Sequence, residues 1–190
     1  MLDNKEIRKT IFWRLSERRF KHSVAVAECS AALAEKNGAD KKKAYTAGLL
    51  HDICKEQRKD EQRALLEASG YADKFALLDN PSLWHGFAGA YFCETELGID
   101  DLEILEAIRW HTTGRPAMSQ LEKCLFVGDA VSADRRYSDI EQFRELAQSD
   151  LDGCIPELCK STITAILARN LPLSVLSVDT YNYYNKKGAK

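Results

Sequence analysis

The stretch GLLHDICKEQ, residues 48–57, sets His51 and Asp52 side by side after an apolar run and puts Lys55 one helical turn further on. The chain has four histidines, and the others are His22, His85 and His111. Imidazole and carboxylate together suit iron, manganese or zinc. Asp129 joins them because CLFVGDAVSA surrounds it with small and apolar residues. An ionised carboxylate in that setting costs several kcal/mol unless a cation or strong hydrogen bonds compensate. Each residue has a plainer reading alone. A lone histidine is more often a hydrogen-bonded core or surface group than a ligand, a His-Asp doublet arises readily by chance, and Asp129 could be accepting bonds from an arginine or the backbone. The ordered set His22, His51-Asp52, His85, His111 and Asp129 is what points to a metal centre.

The residue types suggest how such a centre would divide its work. Neighbours on a helix project about 100° apart, so His51 and Asp52 can approach one ion from adjacent directions. Asp52 has two oxygens and can span two ions, which an imidazole cannot. Lys55 shares a helical face with Asp52, where its ammonium could reach a phosphate oxygen; the alternative is a solvated lysine in a charged stretch. Arg19 and Lys21, in SERRFKH, bring positive charge just ahead of His22, and Arg135 follows Asp129 by six residues. Arginine forks match phosphate oxygens, although surface arginines usually have no such task. Phe20, Trp84, Phe87 and Trp110 flank the histidines; a purine could stack on such rings, but helical spacing favours core packing.

The elements that must position these groups are helices. Ile7, Ile11, Phe12 and Leu15 recur at three- and four-residue spacing, which predicts an amphipathic helix. A second runs from about Lys21 to Lys36, with Val24, Ala27, Ala31 and Ala34 on one side and Asn37-Gly38 as its stop. Asp40 is a plausible N-cap for a third, through KKKAYTAGLLHDIC. Further helices are expected at about 58–69, 84–97, 101–111, 119–133, 139–149 and 151–169, with Gly98 ending one and Asp100 able to cap the next. The prolines at 81, 116, 156 and 172 fall at proposed boundaries or in a first turn. No hairpin or alternating strand stands out, apart from an ambiguous LPLSVLSV at 171–178. The fold class is therefore all-α, a single-domain helical bundle.

At 190 residues the chain is long enough to bury a sizeable core as one domain. Apolar residues make up 45% and charged residues 29%, with a formal charge of −2, so nothing general attracts nucleic acid or an anionic membrane. The first twenty residues lack the apolar core of a signal peptide, and no stretch is long enough to span a membrane, which leads us to expect a cytoplasmic protein with no nucleic-acid or membrane partner. The six cysteines (29, 54, 93, 124, 154, 159) form no CxxC pair and read as buried reduced thiols.

The order H…HD…H…H…D, with its doublet extended to HDICK, resembles the HD-domain metal-dependent phosphohydrolases. RRFKHSVAVAECSAALAEKNGAD, AGLLHDICKE, WHGFAGAYF, AIRWHTTGRPAMSQLEKCLFVGDAVSADR and LPLSVLSVDTYNYYN together resemble, more closely, the bacterial symmetrical diadenosine tetraphosphate hydrolases of that superfamily. The likeness runs from about residue 10 to 184. It implies a single HD domain over residues 1–190, with a core at about 18–135 and C-terminal helices at 139–190 completing the fold and the nucleotide pocket. It also implies two divalent transition metals, typically iron, with manganese or zinc as alternatives. A metal-activated hydroxide would then attack phosphorus and give two ADP.

By position, the resemblance assigns His22, His51, Asp52 and Asp129 to the first metal. Asp52 would bridge to a second, which His85 and His111 would hold, unless these two face the phosphates. The expected catalytic residues are Asp52, Lys55, His85 and His111. Arg19, Phe20, Lys21, His22, Asp52, His85, His111, Thr112, Asp129 and Arg135 are expected around the substrate. The segment Asn170, Leu171, Pro172, Leu173, Ser174 and Val175 is expected to wall the base. The family often carries an acidic residue where this chain has Ser132, which puts a supporting contact in doubt. The resemblance also suggests a homodimer. A phosphohydrolase for a nucleoside monophosphate or cyclic nucleotide, and a non-catalytic nucleotide sensor, are the alternatives; loss of a metal ligand would favour the sensor, and none is lost.

Overall fold

Side-chain caps and buried stripes decide where the helices begin and end. In this computed structural model residues 3–188 are described; among them are ten α-helices and a short 3-10 turn at Leu77–Asp79, and no strand. The helices are α1 (Asn4–Arg14), α2 (Glu17–Lys36), α3 (Lys41–Leu50), α4 (Lys59–Ala68), α5 (Trp84–Thr95), α6 (Leu102–Trp110), α7 (Gln120–Val131), α8 (Ile140–Ser149), α9 (Leu151–Ala168) and α10 (Val175–Gly188). The all-α class is as the periodicity predicts. Asp40 caps α3 by accepting from the Lys42 and Lys43 amides, and Gly98 turns the chain after α5 at a φ of 64°.

Several boundaries differ from the sequence reading, each for a local reason. The second helix begins at Glu17, four residues before Lys21, because the Ser16 hydroxyl caps the Arg19 amide while Glu56 accepts from both the Ser16 amide and hydroxyl at 2.7 Å. Asp101, not Asp100, caps α6, since its carboxylate accepts from the Glu103 amide at 3.0 Å. The third helix stops at Leu50 and does not continue through Cys54. Residues 51–56 form tight three-residue turns instead, with the Lys55 amide donating to the Asp52 carbonyl at 2.9 Å. The buried Gln62 amide makes this possible: it donates to the carbonyls of Cys54, Lys55 and Gln57 at 2.9, 3.2 and 3.0 Å. A helix would have paired those carbonyls itself; here the Gln62 side chain takes all three, with the Gln57 amide also reaching the Cys54 carbonyl at 3.3 Å. Pro156 lies inside α9, beyond its first turn, so the Asp152 carbonyl lacks a helical donor. The ambiguous 171–178 segment divides into a loop and the first turn of α10.

One main core joins both ends of the chain. Ile7 and Ile11 of α1 pack in it with Val26, Leu49, Leu50, Ile108, Leu125 and, from α10, Tyr184. Burying each such aliphatic chain contributes about 1.5–3 kcal/mol. Phe12 does not join the apolar stripe: it is 54% exposed, beside Trp13 at 77%. A second cluster holds Leu66, Leu77, Trp84, Phe87, Trp110 and Leu176, so three of the four histidine-flanking aromatics are core residues, as their spacing favours. All six cysteines are free thiols, five of them buried and Cys29 half-buried.

Helix α2 lies against both α3 and α7, and α6 lies against α3, α5 and α7. Close approach is set by glycine at two of these contacts. A Cβ on Gly48 would sit 2.5 Å from the Ala27 Cα of α2. One on Gly86 would sit 2.9 Å from the Arg109 carbonyl oxygen of α6. These glycines lie three residues before His51 and next to His85, so the close crossings occur where the histidines are brought together.

Candidate metal centre

Five helices deliver the donor set. His22 is in the second turn of α2, His51 caps the end of α3, His85 opens α5, His111 caps the end of α6, and Asp129 stands in the last turn of α7. All four imidazoles and Asp52 are buried. Each ring is oriented by its Nδ1. In His51, His85 and His111 that atom lies 2.7, 2.9 and 2.7 Å from the carbonyl oxygens of Gly48, Ser82 and Ile108, three residues earlier in each case. In His22 it lies 2.8 Å from Asp134 Oδ2. Carbonyls and ionised carboxylates only accept, so Nδ1 donates and the four Nε2 lone pairs face inward.

The Asp52 carboxylate sits among them with its two oxygens turned to different histidines. Its Oδ2 lies 3.4 Å from His51 Nε2 and 4.0 Å from His22 Nε2, while its Oδ1 lies 3.3 Å from His85 Nε2 and 3.7 Å from His111 Nε2. Asp129 Oδ1 lies 3.0 Å from His22 Nε2 and 3.9 Å from His51 Nε2. Two overlapping triads, His22/His51/Asp129 and His51/Asp52/His111, each have donor atoms within 4.8 Å of one another.

These residues fit a divalent metal. The buried Nε2 atoms of His22 and His51 have no hydrogen-bond partner. An Nε2 lone pair facing an Asp129 oxygen at 3.0 Å, and two Nε2 atoms of His85 and His111 only 3.1 Å apart, repel unless a proton or a cation lies between. Burial works against ionising Asp52, yet His51, His85 and His111 hold its pKa well below the usual carboxylate value. Burial likewise opposes ionisation of Asp129, but His22, His51 and Arg135 hold it well below too. The His111 imidazole is pushed down to about 4 by burial and by His51, and His85 falls well below its ordinary value through burial and Lys55. Neutral His85 and His111 beside ionised carboxylates are protonation states that metal ligation requires, while Asp52 raises the His51 pKa against the effect of burial.

Cationic and hydroxyl groups border the same space. Arg19 Nη1 donates to Asp52 Oδ2 at 2.6 Å. Arg135 grips Asp129 twice, through its carbonyl at 2.8 Å and through its carboxylate. Lys55 Nζ lies 3.2 Å from His85 Nε2, and burial, reinforced by Arg19, lowers its pKa. Thr112 Oγ1 lies 3.2 and 3.1 Å from the Nε2 atoms of His85 and His111.

Other expected residues stand apart. Phe20 packs edge-on against Phe12 with ring centroids 5.5 Å apart, on the main core. Lys21 is exposed and pairs with Glu17 at 2.5 Å. A cavity of about 540 Å³ opens from His111, Thr112, Asp129 and Arg135 toward α9, where Leu158, Thr162 and Ile166 form its far wall. Residues 170–174 are the loop just beyond that wall, and no hydrogen bond or ion pair among the described residues ties 170–175 to the centre. Asp134, behind His22, was not singled out in the sequence; its position two residues after Ser132 was the available signal.

The chain belongs to the HD domain family: the family model matches residues 19–134, which include all the clustered histidines, Asp52 and Asp129. Among its relatives is the "Bis(5'-nucleosyl)-tetraphosphatase, symmetrical" of Bacillus subtilis, 37% identical over 90% of this chain and 91% of that one. The protein of the same name from Halalkalibacterium halodurans is 39% identical over 88% of this chain and 89% of that one. A crystal structure from Clostridium acetobutylicum, described as a "predicted HD superfamily hydrolase involved in NAD metabolism", is similar with a TM-score of 0.94 at 30% identity, covering 98% of this chain and 99% of that one.

Proposed function

We propose that this protein is a metal-dependent hydrolase that cuts diadenosine tetraphosphate in the middle and releases two ADP. The observation that carries the reading is Asp52, whose two oxygens face two different pairs of histidines. The full-length relatives named for that activity support the substrate.

The centre takes two divalent transition cations, iron first, with manganese or zinc as alternatives. His22, His51, Asp52 and Asp129 would hold one; His85 and His111, with Asp52, would hold the other or face the phosphates. When bound, such cations neutralise phosphate oxygens and lower the pKa of water toward neutrality. The chain's own groups do the remaining work. Arg19 and Arg135 counter the charge of a polyphosphate and fix Asp52 and Asp129 in orientation. The Lys55 ammonium and the Thr112 hydroxyl stand where a phosphate oxygen beside His85 and His111 would accept from them. One nucleoside diphosphate lies in the cavity toward α9, with residues 170–175 against the base. Residues 1–190 act as one HD domain, with a core at about 18–135 and the helices of 139–190 completing the pocket; the protein works in the cytoplasm as a homodimer. No helix among the described residues is long and apolar enough to cross a membrane.

Chromatography of the products tests the reading. Metal-loaded protein given diadenosine tetraphosphate should yield ADP alone and lose turnover with a strong chelator. Equal AMP and ATP would place the cut at a neighbouring bridge. No turnover of this substrate, with hydrolysis of a nucleoside monophosphate or cyclic nucleotide, would replace the reading.

A further inference from the structure

A second cavity, of about 520 Å³, opens on the other side of Arg135 and Tyr137 from the α9-lined one. Its floor is His22 with Asp134, whereas the α9-lined cavity reaches His111, Thr112 and Asp129; Arg135 and Tyr137 line both. Five cations border it: Arg18, Arg19, Lys21, Arg135 and Arg136. Three already have carboxylate partners, namely Asp52 for Arg19, Glu17 for Lys21 and Asp129 for Arg135. The other two are uncompensated. Arg136 donates only to the backbone carbonyls of Ala133 and Arg135, and Arg18 has no hydrogen-bond or ion-pair partner among the described residues. Both are exposed.

Two guanidiniums without a carboxylate partner at one cavity leave their donors available to an anion. From these observations we infer that this cavity is a subsite for the departing half of the substrate, a second nucleoside diphosphate, whose phosphates are bound by Arg18 and Arg136. The inference rests on the proposed symmetrical cleavage, and it extends that reading to the half of the substrate it left unassigned. A phosphate chain cut in its middle must run past the metal cluster on both sides, and the two cavities adjoin the cluster on either side of Arg135 and Tyr137. Cleavage forms a P–O bond to the water oxygen and breaks the central P–O bond, whose electron pair leaves on the departing diphosphate; the water protons end in solvent. Negative charge therefore grows on the group that faces Arg18 and Arg136, so these guanidiniums favour the leaving group as well as binding it.

The test compares two substrates on metal-loaded protein. With Arg18→Ala/Arg136→Ala, kcat/KM for diadenosine tetraphosphate should fall about 5- to 10-fold, the scale of two solvent-facing charge contacts. A nitrophenyl ester of ADP, which has no second diphosphate, should lose less than twofold. Arg18→Lys/Arg136→Lys should recover most of the loss. An equal fall for both substrates would place these arginines on the retained half or in the fold, and no fall for either would leave the cavity without this role; both results overturn the inference. Failure of the symmetrical reading is distinct, since the unaltered protein would then not produce ADP alone.

Discussion

His22 Nδ1 lies 2.8 Å from Asp134 Oδ2, and the other oxygen of Asp134 accepts the Ser132 hydroxyl at 2.7 Å. Ser132 itself offers no carboxylate to His22, and the one that orients the imidazole comes from Asp134, two residues further on. Such a partner fixes the imidazole tautomer and raises its basicity toward a metal. Asp134→Asn should therefore weaken metal binding about 10- to 100-fold while the fold persists. Competition against a graded series of chelators measures it, with circular dichroism as the control. Unchanged affinity would mean that the carboxylate does not support His22.

Asp52 and Lys55 should separate ligand from bystander. Asp52 is the one side chain placed between all four imidazoles, so Asp52→Ala should abolish turnover and cut the metal content. Lys55→Ala should lower turnover and leave the metal in place, since its ammonium touches His85 and cannot itself ligate while charged. Elemental analysis of both variants decides, and a metal-stripped Lys55→Ala would reverse the roles.

The pH dependence of metal-free stability has a sign that follows from burial. His111 titrates at about 4 when folded against an ordinary 6.5, and His85 is also lowered. The unfolded chain then takes up these protons first as pH falls, so stability drops from about pH 6.5 down to about 4. His51 opposes this. Burial would lower its pKa, but Asp52 raises it above the ordinary value, so its contribution is present below 6.5 and is lost as pH rises through its folded value. Two lowered imidazoles against one raised should give a net loss on the order of 2 kcal/mol between about pH 7 and 4.5. Urea titrations at the two pH values measure it, and a higher midpoint at the acidic end would contradict the assignment.

Gly48→Ala should be costly out of proportion to one methyl. The added carbon meets α2 backbone at 2.5 Å, so α2 and α3 must separate, at about 1–3 kcal/mol, and His22 and His51 must separate with them. Gly89→Ala is the matched control, because its added carbon would meet Ile108 Cγ2 at 3.6 Å, Ile53 Cγ2 at 3.7 Å and the His51 carbonyl oxygen at 3.8 Å, all ordinary contacts. Thermal melts and metal content should fall together in the first variant and stay near the parent in the second. A normal melt for Gly48→Ala would show that the crossing can relax.

The helical class, most helix limits and the inventory of donors were legible in the sequence because caps and apolar stripes act within a turn or two. Asp40, Gly98 and the alanines of α2 mark their positions by local chemistry alone. Gln62 shows the limit of that reasoning. Nothing near Cys54 announces that a side chain eight residues later will take its carbonyl and stop the helix. Pro156 and the exposure of Phe12 likewise depend on which surfaces neighbouring helices cover.

By itself the sequence determined that the four histidines, Asp52 and Asp129 follow one another in a helical chain in an order resembling metal-dependent phosphohydrolases. Tertiary structure alone decided that the two oxygens of Asp52 face different histidines, that Asp134 stands behind His22 across 112 residues of chain, and that two cavities adjoin the cluster on either side of Arg135 and Tyr137. The physical reason is range. Helix formation is settled between residues three and four apart, whereas the metal donors converge only when α2, α3, α5, α6 and α7 pack at distances that their glycines and buried side chains permit.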